Sequence, residues 1–252
     1  MLKETARAVF EKLGYTMSRS IPVDVDMERD FLRLYRQCRP YTMTSMERMY
    51  GLYKALRYVA AFPVPGDVVE CGVWRGGSAM LCAMVLKELA QTHRKLYLYD
   101  TFEGMPEPGD KDVRFTGESA RVRWERLSGN WDRASLDEVT ENMASTGYPT
   151  ENVVLVRGKV EETIPKVAPG SISLLRLDTD WFESTYHELV HLFPRVSPHG
   201  VLIVDDYGHW LGAREAVDKY WAECGIKLLL HRIDFSGRLA VKCCCPPDRD
   251  DN

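Results

Sequence analysis

Residues 171–190 read SISLLRLDTDWFESTYHELV, and their reading decides the fold. The apolar run Ile172 to Leu177 has the length and composition of a buried strand, and the pattern after Trp181 is helical. Between them stand Asp178, Thr179 and Asp180. Alternate residues of a strand share a face, so a strand carried through this point sets two carboxylates side by side, where they repel. A strand ending in paired acids needs something nearby to neutralise them.

Working outward, short apolar runs at 68–72, 95–100, 152–156, 172–177 and 200–206 alternate with helical patterns at 77–90, 134–145, 160–166, 183–193 and 211–223. Strands alternating with helices predict a parallel sheet covered on both faces. The runs at 227–233 and 238–244, joined by residues 234–237, predict an antiparallel hairpin that closes a seven-stranded sheet. Upstream, three-to-four-residue apolar spacing predicts helices at 3–13, 27–38 and 45–61, ended by Pro63, Pro65 and Gly66. The chain thus divides into a helical segment, 1–62, and an α/β domain, 63–252. Residues 104–131 are long, charged and poor in periodicity, as a lid or binding loop would be.

With 252 residues, 45% hydrophobic and 28% charged, the chain can bury the core of one large α/β domain or of two small ones. A net charge of -4 without a basic stripe argues against nucleic acid as a partner. No apolar run has membrane-spanning length, and MLKETARAVFEKLGY lacks the apolar core of a signal peptide, so a cytoplasmic protein is expected. The seven cysteines are odd in number, and Cys71 and Cys82 sit in apolar surroundings, which fits reduced thiols. Cys243, Cys244 and Cys245 are adjacent and lack a CxxC partner, so no zinc site is expected there.

The first strand runs into glycines in VVECGVWRGGSAM (68–80), and a helix follows. Gly72, Gly76 and Gly77 allow close backbone approach, and the helix N-terminus adds a favourable dipole, although the spacing is not that of the dinucleotide fingerprint. Asp100 ends the second strand, where a carboxylate can grip a ribose diol. Glu70 would repel a pyrophosphate but suits the cationic amino-acid end of S-adenosylmethionine, which favours a methyl donor over NAD.

A second acid pair, Asp205 and Asp206, ends the strand in GVLIVDDYGHW (200–210). Consecutive strands of such a sheet commonly neighbour one another, and ligands bind beyond their carboxyl ends, so four carboxylates converge. A hard divalent cation relieves that crowding, and oxygen-only donors point to magnesium, with manganese or calcium as alternatives. Such an ion lowers the pKa of a hydroxyl and fixes its position, which suits a vicinal diol or catechol as acceptor. A carboxylate off the metal can take the proton.

Several stretches closely resemble one family: VECGVWRGGSAM, LYDTFEGMP, RGKVEETIP, LLRLDTDWFEST, VSPHGVLIVDDYGHWLGAREAVDKYW and, upstream, YTMTSMERMY. In order and wording they resemble the macrocin O-methyltransferase (TylF-type) family. The resemblance implies a Rossmann-like methyltransferase fold and an S-adenosylmethionine- and magnesium-dependent enzyme that tailors a sugar hydroxyl of a natural product such as an antibiotic. It also implies a homo-oligomer. By the resemblance Asp178, Asp205 and Asp206 hold the metal and Asp180 is the general base. Methyl-donor contacts map to Glu70, Cys71, Gly72 and Val73 with Ser78, to Asp100, Thr101, Phe102 and Gly104, and to Gly158 and Lys159. Met43 and Thr44 cover the cofactor.

His209 follows the acid pair closely enough to touch substrate, or else is a surface loop residue. His187 and His191, one helical turn apart without a third ligand, read as helix surface. Trp124 and Trp131 are candidates for an acceptor pocket or an oligomer contact. Outside methyl transfer, Asp-x-Asp at a strand end also fits a magnesium phosphohydrolase with an aspartyl nucleophile, a reading that leaves the glycine turn and Asp100 without a task.

Overall fold

The structure, a computed structural model, is described for residues 22–243; the helix expected at 3–13 and residues Cys244 and Cys245 lie outside them. Helices α1 (Arg29–Cys38) and α2 (Met46–Ala61) lead into β1 (Asp67–Cys71), α3 (Gly77–Glu88) and β2 (Leu96–Asp100). Then come α4 (Ala120–Arg126), α5 (Leu136–Ser145), β3 (Val153–Arg157), the single turn α6 (Val160–Thr163) and β4 (Ile172–Leu177). The chain continues through α7 (Phe182–Leu192), β5 (Val196–Val204), α8 (Leu211–Glu223), β6 (His231–Arg232) and β7 (Arg238–Val241).

The seven strands form one sheet in the order β3-β2-β1-β4-β5-β7-β6. The first five are parallel, and β7 runs antiparallel to both β5 and β6. Strand order reverses between β1 and β4, and the crevice beyond their carboxyl ends is where open α/β sheets take ligands. Both faces are covered. On one, Leu34, Leu52, Leu56 and Leu81 join Val68 and Leu174 in a single core, so α1 and α2 are packed onto the sheet. On the other, Leu189, Leu192, Val217 and Tyr220 of α7 and α8 pack on Val69, Leu175 and Leu202.

Two strands differ from expectation for a physical reason. The strand expected from 200 begins at Val196, because Pro198 and a left-handed His199 (φ 64°) bulge out and pairing resumes at Val201. The strand expected at 227–233 shrinks to His231–Arg232. Leu228 and Leu230 do pack inward while Leu229 is exposed, so the alternation is real. A strand also needs a partner, and β7 offers this edge only a short run of residues. The expected 160–166 helix stops at Thr163.

The 104–131 segment is tied down despite its irregular sequence. Asp112, buried, accepts the backbone N–H of Gly109 at 2.7 Å and of Phe182 at 2.8 Å, and Arg114 bridges to Trp210. The short helix α4 lies inside the segment, with Ser119 accepting from the Arg121 N–H at its start. No helix among the described residues is long and apolar enough to cross a membrane.

Candidate active site

Backbone hydrogen bonds bring the ends of four strands together. Gly72 N–H donates to the Tyr99 carbonyl and Asp178 N–H to the Cys71 carbonyl, each at 2.8 Å; Asp205 N–H donates to the Leu177 carbonyl at 2.9 Å. A cavity of about 290 Å³ opens above these ends. Among the expected site residues, Met43, Thr44, Gly72, Val73, Ser78, Asp100, Thr101, Gly104, Gly158 and Lys159 line it, as do Asp178, Asp180, Asp205 and Asp206. His209 and Trp131 are in its wall as well.

Two glycines are required by close approach of protein to protein. Gly72 (φ +83°) faces the Asp178 carbonyl, which a Cβ would meet at 2.0 Å. A Cβ on Gly77 would meet the Tyr41 carbonyl at 2.6 Å, and this close approach seats the 41–44 segment on α3. Asp100 organises the same turn: one oxygen accepts the N–H groups of Val73 (2.7 Å) and Trp74 (3.0 Å), the other that of Phe102 (2.8 Å). Most of its acceptor capacity is thus used by the loop itself.

Three residues expected to touch the methyl donor do not reach the wall. Glu70 is 1% exposed and bonded to the Arg176 guanidinium at 2.5 Å and to the Ser78 hydroxyl, so it serves as an internal counter-ion. Cys71 and Phe102 are buried in the two cores. Burial pushes the Cys71 thiol well above its usual range. Trp124 packs on the edge of the tryptophan cluster and donates to the Met105 carbonyl at 3.2 Å.

The acid cluster is not built by strand alternation. Strand β4 ends at Leu177, and Asp180 sits in left-handed backbone (φ 69°), which aspartate tolerates better than most residues. That turn aims Asp180 at Asp206. One oxygen from each of Asp178, Asp205 and Asp206 lies within 4.8 Å of the others, the one such group of metal-capable side chains among the described residues. Asp206 Oδ2 is buried and meets no hydrogen-bond donor. Burial holds Asp178 and Asp206 well above the ordinary carboxylate range, with neighbouring acids adding to it, and pushes Asp180 up to about 7.

The neutralising partners that the sequence left unnamed are two arginines. Arg176, 2% exposed in β4, reaches Asp178 Oδ2 at 2.7 Å and Asp205 Oδ1 at 2.6 Å, and donates to the Thr44 hydroxyl at 2.9 Å. Arg48 of α2 pairs with the other oxygen of Asp205 and, at 3.1 Å, with Asp234. On the far side stand Trp131, Trp181 and Trp210, with ring centroids 5.0 to 6.1 Å apart and Arg123 over the Trp131 ring at 4.4 Å. Burial and nearby arginines hold His209 below the usual histidine range, so it is neutral at pH 7.

Residues 14–240 match the profile of the macrocin O-methyltransferase (TylF) family. The chain belongs to that family. It is an S-adenosylmethionine-dependent O-methyltransferase with the sheet topology expected from its sequence. Among similar proteins is the 8-demethyl-8-(2,3-dimethoxy-alpha-L-rhamnosyl)-tetracenomycin-C 4'-O-methyltransferase of Streptomyces olivaceus, 34% identical over 78% of this chain and 74% of that one. Another is the mycinamicin III 3''-O-methyltransferase of Micromonospora griseorubida, 32% identical over 78% and 76%. The solved O-methyltransferase NovP superposes with a TM-score of 0.73 at 31% identity, over 81% of this chain and 82% of that one.

His187 and His191 lie with ring centroids 4.4 Å apart and planes tilted by 54°, and His187 Nε2 lies 3.0 Å from the Ile164 carbonyl, so the pair belongs to helix packing in this TylF-family chain. Sequence reasoning passed over Arg176, Arg48 and Glu188. The last is fully buried on α7, accepts from the Thr179 hydroxyl at 2.9 Å, and is held well above its ordinary range by burial. The one available signal was Arg176 itself, a lone charge inside a run otherwise buried on both faces.

Proposed function

We propose that the chain transfers the methyl group of S-adenosylmethionine to one hydroxyl of a vicinal diol on the sugar of a glycosylated natural product, with magnesium at Asp178, Asp205 and Asp206. The observation that carries this reading is the acid trio, with oxygens within 4.8 Å of one another at the switch point of a methyltransferase sheet. The donor set fits a hard cation. All three ligands are carboxylates, and Asp206 Oδ2 is buried with no donor to satisfy it, a costly state that a cation relieves. Acidic side chains also outnumber basic ones around the cavity, which suits both a divalent ion and a sulfonium. The tetracenomycin relative is named for an acceptor that carries a rhamnosyl group, which supports a glycoside here.

A divalent cation at the trio would supply charge that lowers the pKa of an acceptor hydroxyl and holds a diol in one orientation. Asp180 takes the proton in this reading: it borders the trio and lies in the cavity wall, and a cation on its neighbours would favour its carboxylate form, the one that accepts a proton. Gly72, Val73, Gly158 and Lys159 hold the methyl donor over the ends of β1 and β3, and Tyr41 to Thr44 close over it. Trp131, Trp210 and neutral His209 form the wall that receives the acceptor and keeps water from the transferring methyl.

The test is methyl transfer from labelled S-adenosylmethionine to a panel of glycosides, each paired with the analogue lacking one of two adjacent hydroxyls, with and without chelator. The reading expects turnover that needs both hydroxyls and stops with chelator. Turnover undiminished in chelator overturns the metal role, and transfer confined to catechols overturns the sugar.

A further inference from the structure

Arg48 stands between two acids. It lies in the first turn of α2, where its backbone N–H is accepted by Ser45 Oγ at 3.2 Å. Its Nη1 is paired with Asp205 Oδ2, and its Nε reaches Asp234 Oδ2 at 3.1 Å. The other oxygen of Asp205 is taken by Arg176 at 2.6 Å. Each oxygen of Asp205 therefore meets a guanidinium, although Asp205 is one of the acid trio. Asp234 is independently fixed: it accepts the Ser45 hydroxyl at 2.8 Å and the N–H groups of Ser236 at 2.8 Å and Gly237 at 2.6 Å.

We propose, resting on the metal reading above, that Arg48 is a displaceable counter-charge which competes with the cation for Asp205. Arg48 gives up Asp205 Oδ2 when a cation binds and rests on Asp234, with which it is already bonded. Three features support this division between the arginines. Arg176 is enclosed by Glu70, Asp178, Asp205 and Thr44 and has nowhere to go. Arg48 is more exposed, at 12% of its side chain, and its planar fork already spans both acids. A second positive charge at Asp205 repels a guanidinium on the same carboxylate, and Asp234 offers it a fixed anion within reach. Arg48 thus acts as a positioning residue that sets cation affinity through Asp205.

The test is calorimetric titration of magnesium into the full-length protein without methyl donor. Arg48→Met should tighten binding by about tenfold, within the usual range of coupling between charged sites. Asp234→Asn should weaken it severalfold in the wild-type background, because Arg48 then has only Asp205. In Arg48→Met/Asp234→Asn that weakening should vanish. The cycle separates competition from general electrostatics, since a lost negative field would weaken binding equally in both backgrounds. Equal or weaker binding by Arg48→Met, or an Asp234→Asn effect undiminished in the double variant, overturns the inference. If Arg48→Met does not fold, Arg48→Gln takes its place in the cycle, and unchanged affinity in Asp234→Asn alone overturns the idea. A wild-type chain that binds magnesium while the cycle is flat fails this inference only; one that binds no divalent cation fails the metal reading with it.

Discussion

Arg176 Nη1 lies 2.7 Å from Asp178 Oδ2, at the end of the strand that carries the arginine. The same guanidinium reaches Glu70 at 2.5 Å and Asp205 at 2.6 Å, so one buried cation joins β1, β4 and the end of β5. Removing one partner of a buried ionic network leaves the others uncompensated. Arg176→Met should therefore lose about 3–5 kcal/mol of stability in urea unfolding with chelator present. Arg176→Lys, which keeps the charge without the fork, should lose less. A methionine variant as stable as wild type would show that the network contributes nothing.

Gly72 admits no side chain. Its φ of +83° and the Asp178 carbonyl, 2.0 Å from where a Cβ would stand, act together. Gly72→Ala should cost more than the roughly 1–3 kcal/mol of backbone strain alone, and should weaken magnesium binding by moving Asp178. Gly117 provides the control, with a similar φ of +88° and open space around it. Equal melting shifts for Gly72→Ala and Gly117→Ala would contradict the close-approach argument.

Trp131 is 2% exposed and packs edge-on against Trp181. Trp131→Ala should lose about 3–5 kcal/mol, as large core truncations do, and raise KM for the acceptor. Trp131→Phe should be much milder, because it keeps an aromatic ring in the cluster and most of the buried volume. Steady-state kinetics on both variants, with thermal melts, would read this; an unchanged acceptor KM in Trp131→Ala would exclude the ring from the acceptor wall.

Asp180 is raised from the carboxylate range to about 7 by burial, so the folded chain binds its proton more tightly than the unfolded chain does. Its contribution to stability is full below the unfolded pKa and is lost as pH rises through about 7. With chelator present, the melting temperature should fall as pH rises from the mid-carboxylate range through neutrality, and Asp180→Asn should flatten part of that slope. Saturating magnesium should reverse it, since cation binding favours deprotonated ligands. A slope identical with chelator and with magnesium would contradict the coupling.

Much of the fold was legible because periodicity and punctuation are local. The β1, β2, β4 and α8 signals lie within a few residues of the observed bounds, and the acid pairs marked the right end of the sheet. What was not legible depends on distant partners. Arg48 carries no local sign that Asp205, 157 residues away, will meet it. Leu228 to Leu230 alternate like a strand yet lack a neighbour to pair with. Glu70 looked like a ligand group from its place near the end of β1, but its neighbour Arg176 comes 106 residues later and claims it. Asp180 reached the site through a left-handed turn, a geometry that side-chain alternation does not describe.

In the proposed mechanism the acids divide the work: Asp206 would hold the cation and Asp180 would take the proton. The most direct measurement is magnesium titration calorimetry on Asp206→Asn and Asp180→Asn side by side, with turnover recorded for each. Asp206→Asn should lose detectable binding. Asp180→Asn should bind within a few-fold of wild type while turnover falls by about a hundredfold or more. Equal loss of magnesium binding in the two variants would contradict the division.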